Sequence, residues 1–360
     1  MRQKNANTGK NQRMLLGLVS AFAVLEILVW LKALNEYWTL VIISLCINII
    51  LAVSLNLING FTGQFSLGHA GFMAIGGYTA AVIALKLTSP WIEAGAFPSL
   101  ANVRLGMPLG LPALYLPFAK AILPGGLILA FSLVLGGCLA ALMGFVIGLP
   151  TLRLRGDYLA IATLGFGEII RLSILNIEYL GGATGMPQIP QYTTLFGCFL
   201  LAALTVILIR NLIGSTHGRA MMAVREDEIA AEAMGINTTW YKVAAFTIGA
   251  FFAGVAGALY AHTYYLVNPK SFTFVKTIDV LVMVVLGGMG SIWGSIGGAI
   301  LVTIINAYLS NFPTIRMVIF AIFLVVVMIF LPRGLLSLKG LFNWRQTAKA
   351  GDPGSVAEHR

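Results

Sequence analysis

Ten apolar runs, separated by short polar or basic stretches, dominate this sequence. A helix that crosses a membrane needs about 20 consecutive apolar residues, and most of these runs approach that length. Within 277–310, the stretch LGGMGSIWGSIGG leaves open whether the chain crosses once or twice. We therefore predict an all-α polytopic membrane protein of eight to ten helices, about ten, with Gly-rich broken or re-entrant segments. The predicted spans are 14–34, 38–58, 66–87, 121–149, 158–179, 194–209, 243–265, 277–288, 293–310 and 314–331.

Composition excludes a soluble protein of this size. Of 360 residues, 58% are hydrophobic and only 10% are charged, and the mean hydropathy is +0.89. A soluble domain is about a quarter charged, so this chain lacks the polar surface to cover itself in water. The run 14–34 is longer than the core of a signal peptide, and no small-residue cleavage pattern follows it, so we expect it to be a retained helix.

The net charge of +10 is explained by membrane topology rather than by nucleic-acid binding, because the basic residues lie between the apolar runs. With ten spans, fifteen of the 23 lysines and arginines fall on one side, which the positive-inside rule assigns to the cytoplasm. We predict cytoplasmic termini at 1–13 and 332–360 and a transmembrane domain at 14–331. The fifteen are Arg2, Lys4, Lys10, Arg13, Arg153, Arg155, Arg210, Arg219, Arg225, Lys242, Arg333, Lys339, Arg345, Lys349 and Arg360.

Two predicted loops are long. Residues 88–120, on the external side, contain five prolines, and residues 210–242 are cytoplasmic. The stretch REDEIAAEAMGI in the second loop predicts a short amphipathic helix, because Asp227 and Glu228 suit the first turn and Ile229, Ala233 and Met234 could form a small apolar face.

Small residues recur at every fourth position in several spans. Such spacing lets helix backbones approach closely and drives helix association in lipid. We interpret it first as tight packing within one bundle. The main series are Gly136, Ala140, Gly144, Gly148 and Gly249, Ala253, Gly257, Ala261, with Gly76, Ala80, Ala84 and Gly290, Gly294, Gly298 beside them.

Among the few charged residues in the predicted spans, Glu26, Glu168 and Arg171 are notable because an unpaired charge at this depth is costly. Glu168 and Arg171 are three residues apart, so they share a helix face and can form an intramembrane ion pair. The simpler interpretation is that this ion pair is purely structural. The functional alternative is that the two residues relay protons or substrate. The sequence identifies no partner for Glu26.

A polar, glycine-containing stretch interrupts the apolar sequence after Ile58. We predict that residues 59–69 are irregular backbone that enters the bundle, where polar groups lie beside a translocation path. A short glycine turn before a tightly packed helix remains an equal alternative. The candidate path residues are Asn59, Thr62, Gln64, Ser66 and His69.

Several catalytic classes have no counterpart here. The sequence contains no G-x-x-x-x-G-K-[ST], H-E-x-x-H, C-x-x-C or G-x-S-x-G motif. Cys46, Cys138 and Cys198 have no metal-binding spacing and are expected to be packing residues. We therefore expect no catalytic residue, no metal and no cofactor on this chain.

Five segments, in order, resemble the permease subunits of branched-chain amino-acid ABC importers, and specifically the LivM-like type. The resemblance covers about residues 40–340. The segments are NLINGFTGQFSLGHAGFMAIGGYTAA, LPTLRLRGDYLAIATLGFGEIIR, GGATGM, HGRAMMAVREDEIAAEAMGIN with the following YKVAAFTIGAFFAGVAGALYA, and VLGGMGSIWGSIGGA.

The resemblance implies an ABC importer permease bundle in the bacterial inner membrane. It implies a second, LivH-like permease, two ATPase subunits that bind ATP and Mg²⁺, and an extracytoplasmic solute-binding protein. The transported solute would be a branched-chain or other neutral amino acid, and no nucleic acid would be involved. A family coupling motif matches loosely here, and two alignments stay open. The coupling-loop candidates are Arg225, Glu226, Asp227, Glu228, Ala231, Glu232, Ala233 and Gly235.

Three other functions compete with this prediction. An ABC permease of the same superfamily could carry urea, short amides or a sugar, because the binding protein sets the specificity. A proton-coupled secondary transporter could use Glu168 and Arg171. A membrane enzyme or scaffold is disfavoured because no catalytic constellation is visible.

Overall fold

The computed structural model describes residues 35–93, 117–152, 154 and 156–309. Predicted spans 14–34 and 314–331, Glu26 and both predicted termini lie outside these residues. The described part is helical, and its one β-bridge joins Met186 to Val267.

Ten α-helices make up the described chain. Eight correspond to predicted spans, and the two short helices α6 and α7 occupy the predicted cytoplasmic loop. The helices are α1 Glu36–Asn56, α2 His69–Glu93, α3 Pro117–Thr151, α4 Asp157–Asn176, α5 Leu195–Gly214, α6 Thr216–Glu226, α7 Glu228–Ala233, α8 Thr238–Thr263, α9 Phe274–Gly287 and α10 Ile292–Tyr308.

Five of the described helical segments are long and apolar enough to span a membrane. They contain α1, α4, α5, α8 and the 125–151 part of α3. This agrees with a polytopic membrane protein. Helices α2 and α3 also extend into the predicted loop 88–120 from both sides.

Local sequence explains where many of these helices begin and end. Side chains of Thr194, Ser215, Asp227, Asn237 and Ser291 accept backbone N–H bonds at the first turns of α5, α6, α7, α8 and α10. At Gly288, which follows α9, φ is +101°, a conformation that favours glycine.

The glycine-rich stretch in 277–310 forms a turn between two helices. Helices α9 and α10 pack so closely that added side chains at Gly287 or Gly294 would collide with the other glycine's carbonyl, and one at Gly298 with the Met283 carbonyl. The pairs 287–294 and 283–298 run in opposite directions, so the two helices form an antiparallel hairpin. At 14 and 17 residues, they are about 21 and 26 Å long.

The core of the bundle is a contact of α2, α3 and α8 through their small residues. A Cβ on Gly136 would lie 3.0 Å from the Gly76 carbonyl oxygen, and one on Gly254 would lie 2.6 Å from the Gly136 carbonyl oxygen. Phe72 and Phe246 complete the contact edge to face, with ring centroids 5.5 Å apart. The spacing-four series in these helices therefore mark helix packing, as predicted.

Helix ends contact one another at the two opposite ends of the bundle, as expected when successive helices run in alternating directions. At one end, which we call the coupling end, Arg225 and Gly290 approach Gly60. At the other end, the Tyr37 hydroxyl donates to the Ala307 carbonyl at 2.7 Å.

Candidate translocation and coupling site

The break between α1 and α2 forms a re-entrant segment at 57–68. Residues Leu57–Phe61 form one π-helical turn, and 62–68 have no helical structure. The segment then runs back beside α1, because the Ser66 amide donates to Asn59 Oδ1 at 3.2 Å and His69 Nε2 lies 2.9 Å from Ser54 Oγ. The irregular backbone predicted at 59–69 is therefore present at 62–68, and α2 begins at the buried His69.

Glycines allow this segment to press against its neighbours. A side chain at Gly60 would collide with the Asn56 side chain and the Gly290 amide, and a Cβ on Gly68 would lie 2.5 Å from the Thr163 carbonyl oxygen. Gly63 has φ of +68°, which a side chain would strain.

The five candidate path residues are all buried. Thr62 Oγ1 donates to the Ile58 carbonyl at 2.7 Å, and Asn59 bonds to the Ser66 backbone. The side-chain amide of Gln64, Ser66 Oγ and His69 Nδ1 have no hydrogen-bond partner among the described residues. Buried polar groups are costly when unpaired, which sets these side chains apart from the satisfied Asn59 and Thr62. None faces an opening here, and their contact with a solute stays a prediction.

The coupling-loop candidates form a helical excursion at the coupling end. Asp227 caps α7 by accepting from the Ile229 and Ala230 amides at 2.9 and 3.0 Å. The Lys242 ammonium pairs with Glu228 at 2.5 Å and holds α7 against α8. The preceding helix α6 was not predicted, although Ser215 before Thr216 is an N-cap signal.

Helix α7 presents a mixed surface to solvent. Ile229 is 72% exposed and Met234 is 83% exposed, whereas Ala231 is buried. Glu232 and Ala233 are also exposed. Gly235 has φ of +80°, and no atom lies within 4 Å of the position that a Cβ would take. The apolar side chains of Ile229 and Met234 are therefore uncovered by the described residues, and an amphipathic face stays a prediction.

Arg225 joins the coupling segment to the re-entrant segment. Its Nη1 donates to the Gly60 carbonyl at 2.8 Å, and its Nε donates to Glu226 Oε1 at 3.1 Å. The Asn56 side chain connects the end of α1 to the α9–α10 turn. Its Oδ1 accepts from the Gly290 amide at 2.8 Å, and its Nδ2 donates to the Ser291 carbonyl at 3.1 Å. The coupling segment, the re-entrant segment and the α9–α10 turn thus meet at the end of α1.

Glu168 and Arg171 form the predicted ion pair on α4, with Nε and Oε2 2.7 Å apart. Glu168 lines a shallow, open cleft. The cleft lies between α4, the beginning of α2, the 3₁₀ turn Pro269–Phe272 and α9. Its walls include Leu67, Leu164, Phe272, Phe274 and Thr277.

Sequence reasoning missed a second polar cluster. Asn48 donates to Thr303 Oγ1 at 2.9 Å and accepts from the Lys276 ammonium at 3.0 Å, which links α1, α9 and α10. Asp279 is one turn further along α9. The signal was available, since Asp279 is a charged residue within predicted span 277–288.

Among the described residues, no group of histidine, cysteine and acidic residues is placed to hold a metal ion. Cys46 and Cys198 are buried, in agreement with a packing role, but Cys138 is exposed on α3. The expectation that all three are packing residues was therefore wrong for Cys138. Its exposure places it on a face of α3 that the described residues leave uncovered.

Comparison with known proteins identifies similar chains. Residues 37–332 match the family described as the branched-chain amino acid transport system permease component. The chain is 36% identical to the high-affinity branched-chain amino acid transport system permease protein LivM of Salmonella typhimurium and to that of Escherichia coli, over 81% of this chain and 68% of each relative. It is 36% identical to LivH of Escherichia coli over 38% of this chain and 44% of that protein.

No solved structure matches significantly. The family match covers the re-entrant segment, the ion pair, the coupling segment and the helical hairpin. The chain belongs to the branched-chain amino-acid transport permease family.

Proposed function

We propose that this chain is the membrane-spanning permease subunit of an ATP-driven importer of branched-chain or other neutral, hydrophobic amino acids. The observation that carries the proposal is the Arg225–Gly60 hydrogen bond, which joins the exposed coupling segment to broken backbone inside a bundle of this family. In this role the chain is not an enzyme, and ATP with Mg²⁺ binds to separate ATPase subunits.

The proposed assembly contains a second, LivH-like permease, two ATPase subunits and an extracytoplasmic solute-binding protein. The similarity to both LivM and LivH supports a pair of related permeases. We place the chain in the bacterial inner membrane with about ten spans, both termini in the cytoplasm and α6–α7 on the cytoplasmic side.

The proposed mechanism transmits ATPase movement through this segment. Ile229 on α7 and Met234, which directly follows α7, insert into a groove on an ATPase subunit. Closure of the ATPases displaces α6 and α7, and Arg225 passes the displacement to the carbonyl of Gly60. The re-entrant segment then changes its packing, and the bundle alternates between outward-open and inward-open states.

Reconstitution tests this proposal. The chain is co-expressed with a LivH-like permease and ATPase subunits from the same organism, purified, and placed in proteoliposomes with leucine-loaded binding protein. We expect the ATPases and the second permease to co-purify and leucine uptake to require ATP. Purification of the chain alone, or uptake driven by a pH gradient without ATPases, would contradict the proposal.

Two variants test the coupling residues. Glu232→Trp and Gly235→Trp place a bulky side chain on the docking surface, and we expect both to abolish uptake while membrane insertion persists. Asn176→Trp, at an exposed position on α4 away from the coupling end, is the control. Normal uptake by both coupling variants would refute this assignment.

A further inference from the structure

One face of α4 is left uncovered by the rest of the described chain, although it carries a charge. Ile161, Gly165, Glu168 and Leu172 follow one another at spacings of four, three and four, so they form one stripe along the helix. Ile161 is 65% exposed and Leu172 is 44% exposed, and no atom lies within 4 Å of the position that a Cβ on Gly165 would take. We call these four residues the α4 stripe.

The opposite face of α4 packs inside the bundle. Thr163 and Ile170 are buried there. Thr163 Oγ1 accepts from the Leu67 amide at 3.0 Å, and a Cβ on Gly71 would lie 3.0 Å from Gly167 Cα. The α4 stripe therefore points away from the core of this chain.

The ion pair excludes lipid as the cover of the α4 stripe. Helix α4 is long and apolar enough to cross a membrane, and Glu168 lies eight residues before its last residue, Asn176. At 1.5 Å per residue, the Glu168 backbone is about 12 Å inside the helix. Its side chain is 33% exposed although it pairs with Arg171, and a carboxylate at this depth faces protein or a water-filled cavity rather than hydrocarbon. The apolar Ile161 and Leu172 disfavour water, so protein is the cover that suits the whole stripe.

The predicted spans 14–34 and 314–331 join the described chain at α1 and α10. These two helix ends lie side by side, because the Tyr37 hydroxyl donates to the Ala307 carbonyl at 2.7 Å. The longer predicted connection, 310–313, reaches about 14 Å when extended, which is little more than the distance between neighbouring helices. We therefore expect both spans beside α1 and α10, whereas α4 packs mainly on α2 and α3.

We propose that the α4 stripe is the surface on which the second, LivH-like permease packs. Of the other chains in the proposed assembly, the ATPase subunits lie in the cytoplasm and the binding protein lies outside, so only this permease has residues at the depth of Glu168. Gly165 allows a partner helix to approach closely, and the Glu168–Arg171 pair is neutral as a whole, so the partner needs no charge opposite it. The inference rests on the proposed function and names the surface through which the two permeases meet.

Site-specific photo-crosslinking in the complete transporter tests the proposal. The photoreactive residue p-benzoylphenylalanine replaces Ile161 in one variant, Leu172 in a second and Leu204 on α5 in a control. Leu204 is exposed together with Leu200 and Leu208 on an uncharged stripe, which should face lipid. Irradiation should join the chain to the LivH-like permease from both α4 positions, as a mass shift on a denaturing gel and mass spectrometry of the product would show. Leu204 should give no such product.

A bulky substitution measures how much the stripe contributes to assembly. Gly165→Trp should lower the amount of LivH-like permease that co-purifies with the chain about tenfold, because overpacking a close contact costs free energy. No atom of this chain lies within 4 Å of the added Cβ, so the thermal unfolding midpoint of the chain alone in detergent should stay near that of the unmodified chain. Leu204→Trp, the matched control on α5, should leave co-purification unchanged.

Each result decides the proposal. Crosslinks from the α4 stripe to another segment of the same chain, to a second copy of the chain or to lipid would overturn it. Permease crosslinking of equal yield from Leu204, or unchanged co-purification of Gly165→Trp, would overturn it as well. If one photoreactive variant does not assemble, the other decides. Failure of the LivH-like permease to co-purify with the unmodified chain would instead contradict the proposed function.

Discussion

The Arg225 guanidinium donates a hydrogen bond to the carbonyl of Gly60, 165 residues earlier in the chain. Gly60 belongs to the π-helical turn that ends the first described helix, and Arg225 belongs to the last turn of α6. The bond connects the segment expected to contact an ATPase with the segment that breaks the helix. The donor is a charged side chain and the acceptor is a backbone carbonyl. Because every residue has a backbone carbonyl, a substitution at position 60 cannot remove the acceptor.

Arg225→Gln should uncouple ATP hydrolysis from transport. The shorter neutral side chain loses a charge-assisted bond of about 1.5 kcal/mol, so we expect uptake to fall about tenfold while the ATPases still bind and hydrolyse ATP. Leucine taken up per ATP hydrolysed in proteoliposomes measures the effect.

Arg219→Gln is the matched control, because Arg219 is exposed on the same helix. It should leave the ratio of leucine to ATP unchanged. A parallel loss of ATPase binding and uptake in Arg225→Gln would show that Arg225 acts in docking instead.

The fold was predictable where it depended on length and polarity of local sequence. Eight helices and the break between α1 and α2 followed from apolar runs and from polar residues and glycines between them. The hairpin at 277–310 was left open because glycine-rich sequence is compatible with a turn, a break or a re-entrant segment.

The site was less predictable because its contacts join distant residues. Arg225 was identified as part of the coupling loop, but nothing local indicates that its acceptor is Gly60. Asn56 and Ser54 lie in an apolar run, and their roles depend on Gly290 and His69 arriving beside them. Tertiary packing decides such pairs, and single-sequence patterns do not encode it.

Asn56 is a structural junction whose loss should destabilise the bundle. Its side chain is fully buried and satisfies both the Gly290 amide and the Ser291 carbonyl. Asn56→Ala leaves the Gly290 amide unpaired, at about 1–3 kcal/mol, while the Ser291 carbonyl keeps its bond from the Ser295 amide. We expect a clearly lower thermal unfolding midpoint in detergent.

The control for this change is Asn176→Ala. Asn176 is exposed and donates only within its own helix, to the Leu172 carbonyl. Its unfolding midpoint should remain near that of the unmodified chain. Equal midpoints for the two variants would show that the α1 junction with the hairpin contributes little stability.

Gly254→Ala should force α3 and α8 apart. The added Cβ would lie 2.5 Å from Ala140 Cβ and 2.6 Å from the Gly136 carbonyl oxygen, neither of which is the end of a flexible side chain. Overpacking of this kind costs about 1–3 kcal/mol, which exceeds the gain of about 1 kcal/mol in helix propensity. The fraction of protein that stays monodisperse during detergent size-exclusion chromatography should fall.

Gly165→Ala makes the same chemical change on α4, where no atom lies within 4 Å of the added carbon. Only the helix-propensity gain remains there, so this variant should be as stable as the unmodified chain or more so. If Gly254→Ala also elutes unchanged, the close contact of α3 with α8 cannot be essential to the fold.

Asp227→Ala should loosen α7 without unfolding the bundle. Asp227 Oδ1 accepts from two amides at the beginning of a six-residue helix, and loss of such a cap costs about 1 kcal/mol. Amide hydrogen exchange at residues 229–231 should therefore accelerate about fivefold, while exchange in the buried part of α8 stays the same. Asp227→Asn keeps an oxygen acceptor and should retain most of the protection. If exchange in α7 were equally slow in the alanine variant, the Glu228–Lys242 pair rather than the cap would hold this helix in the shape that docking requires.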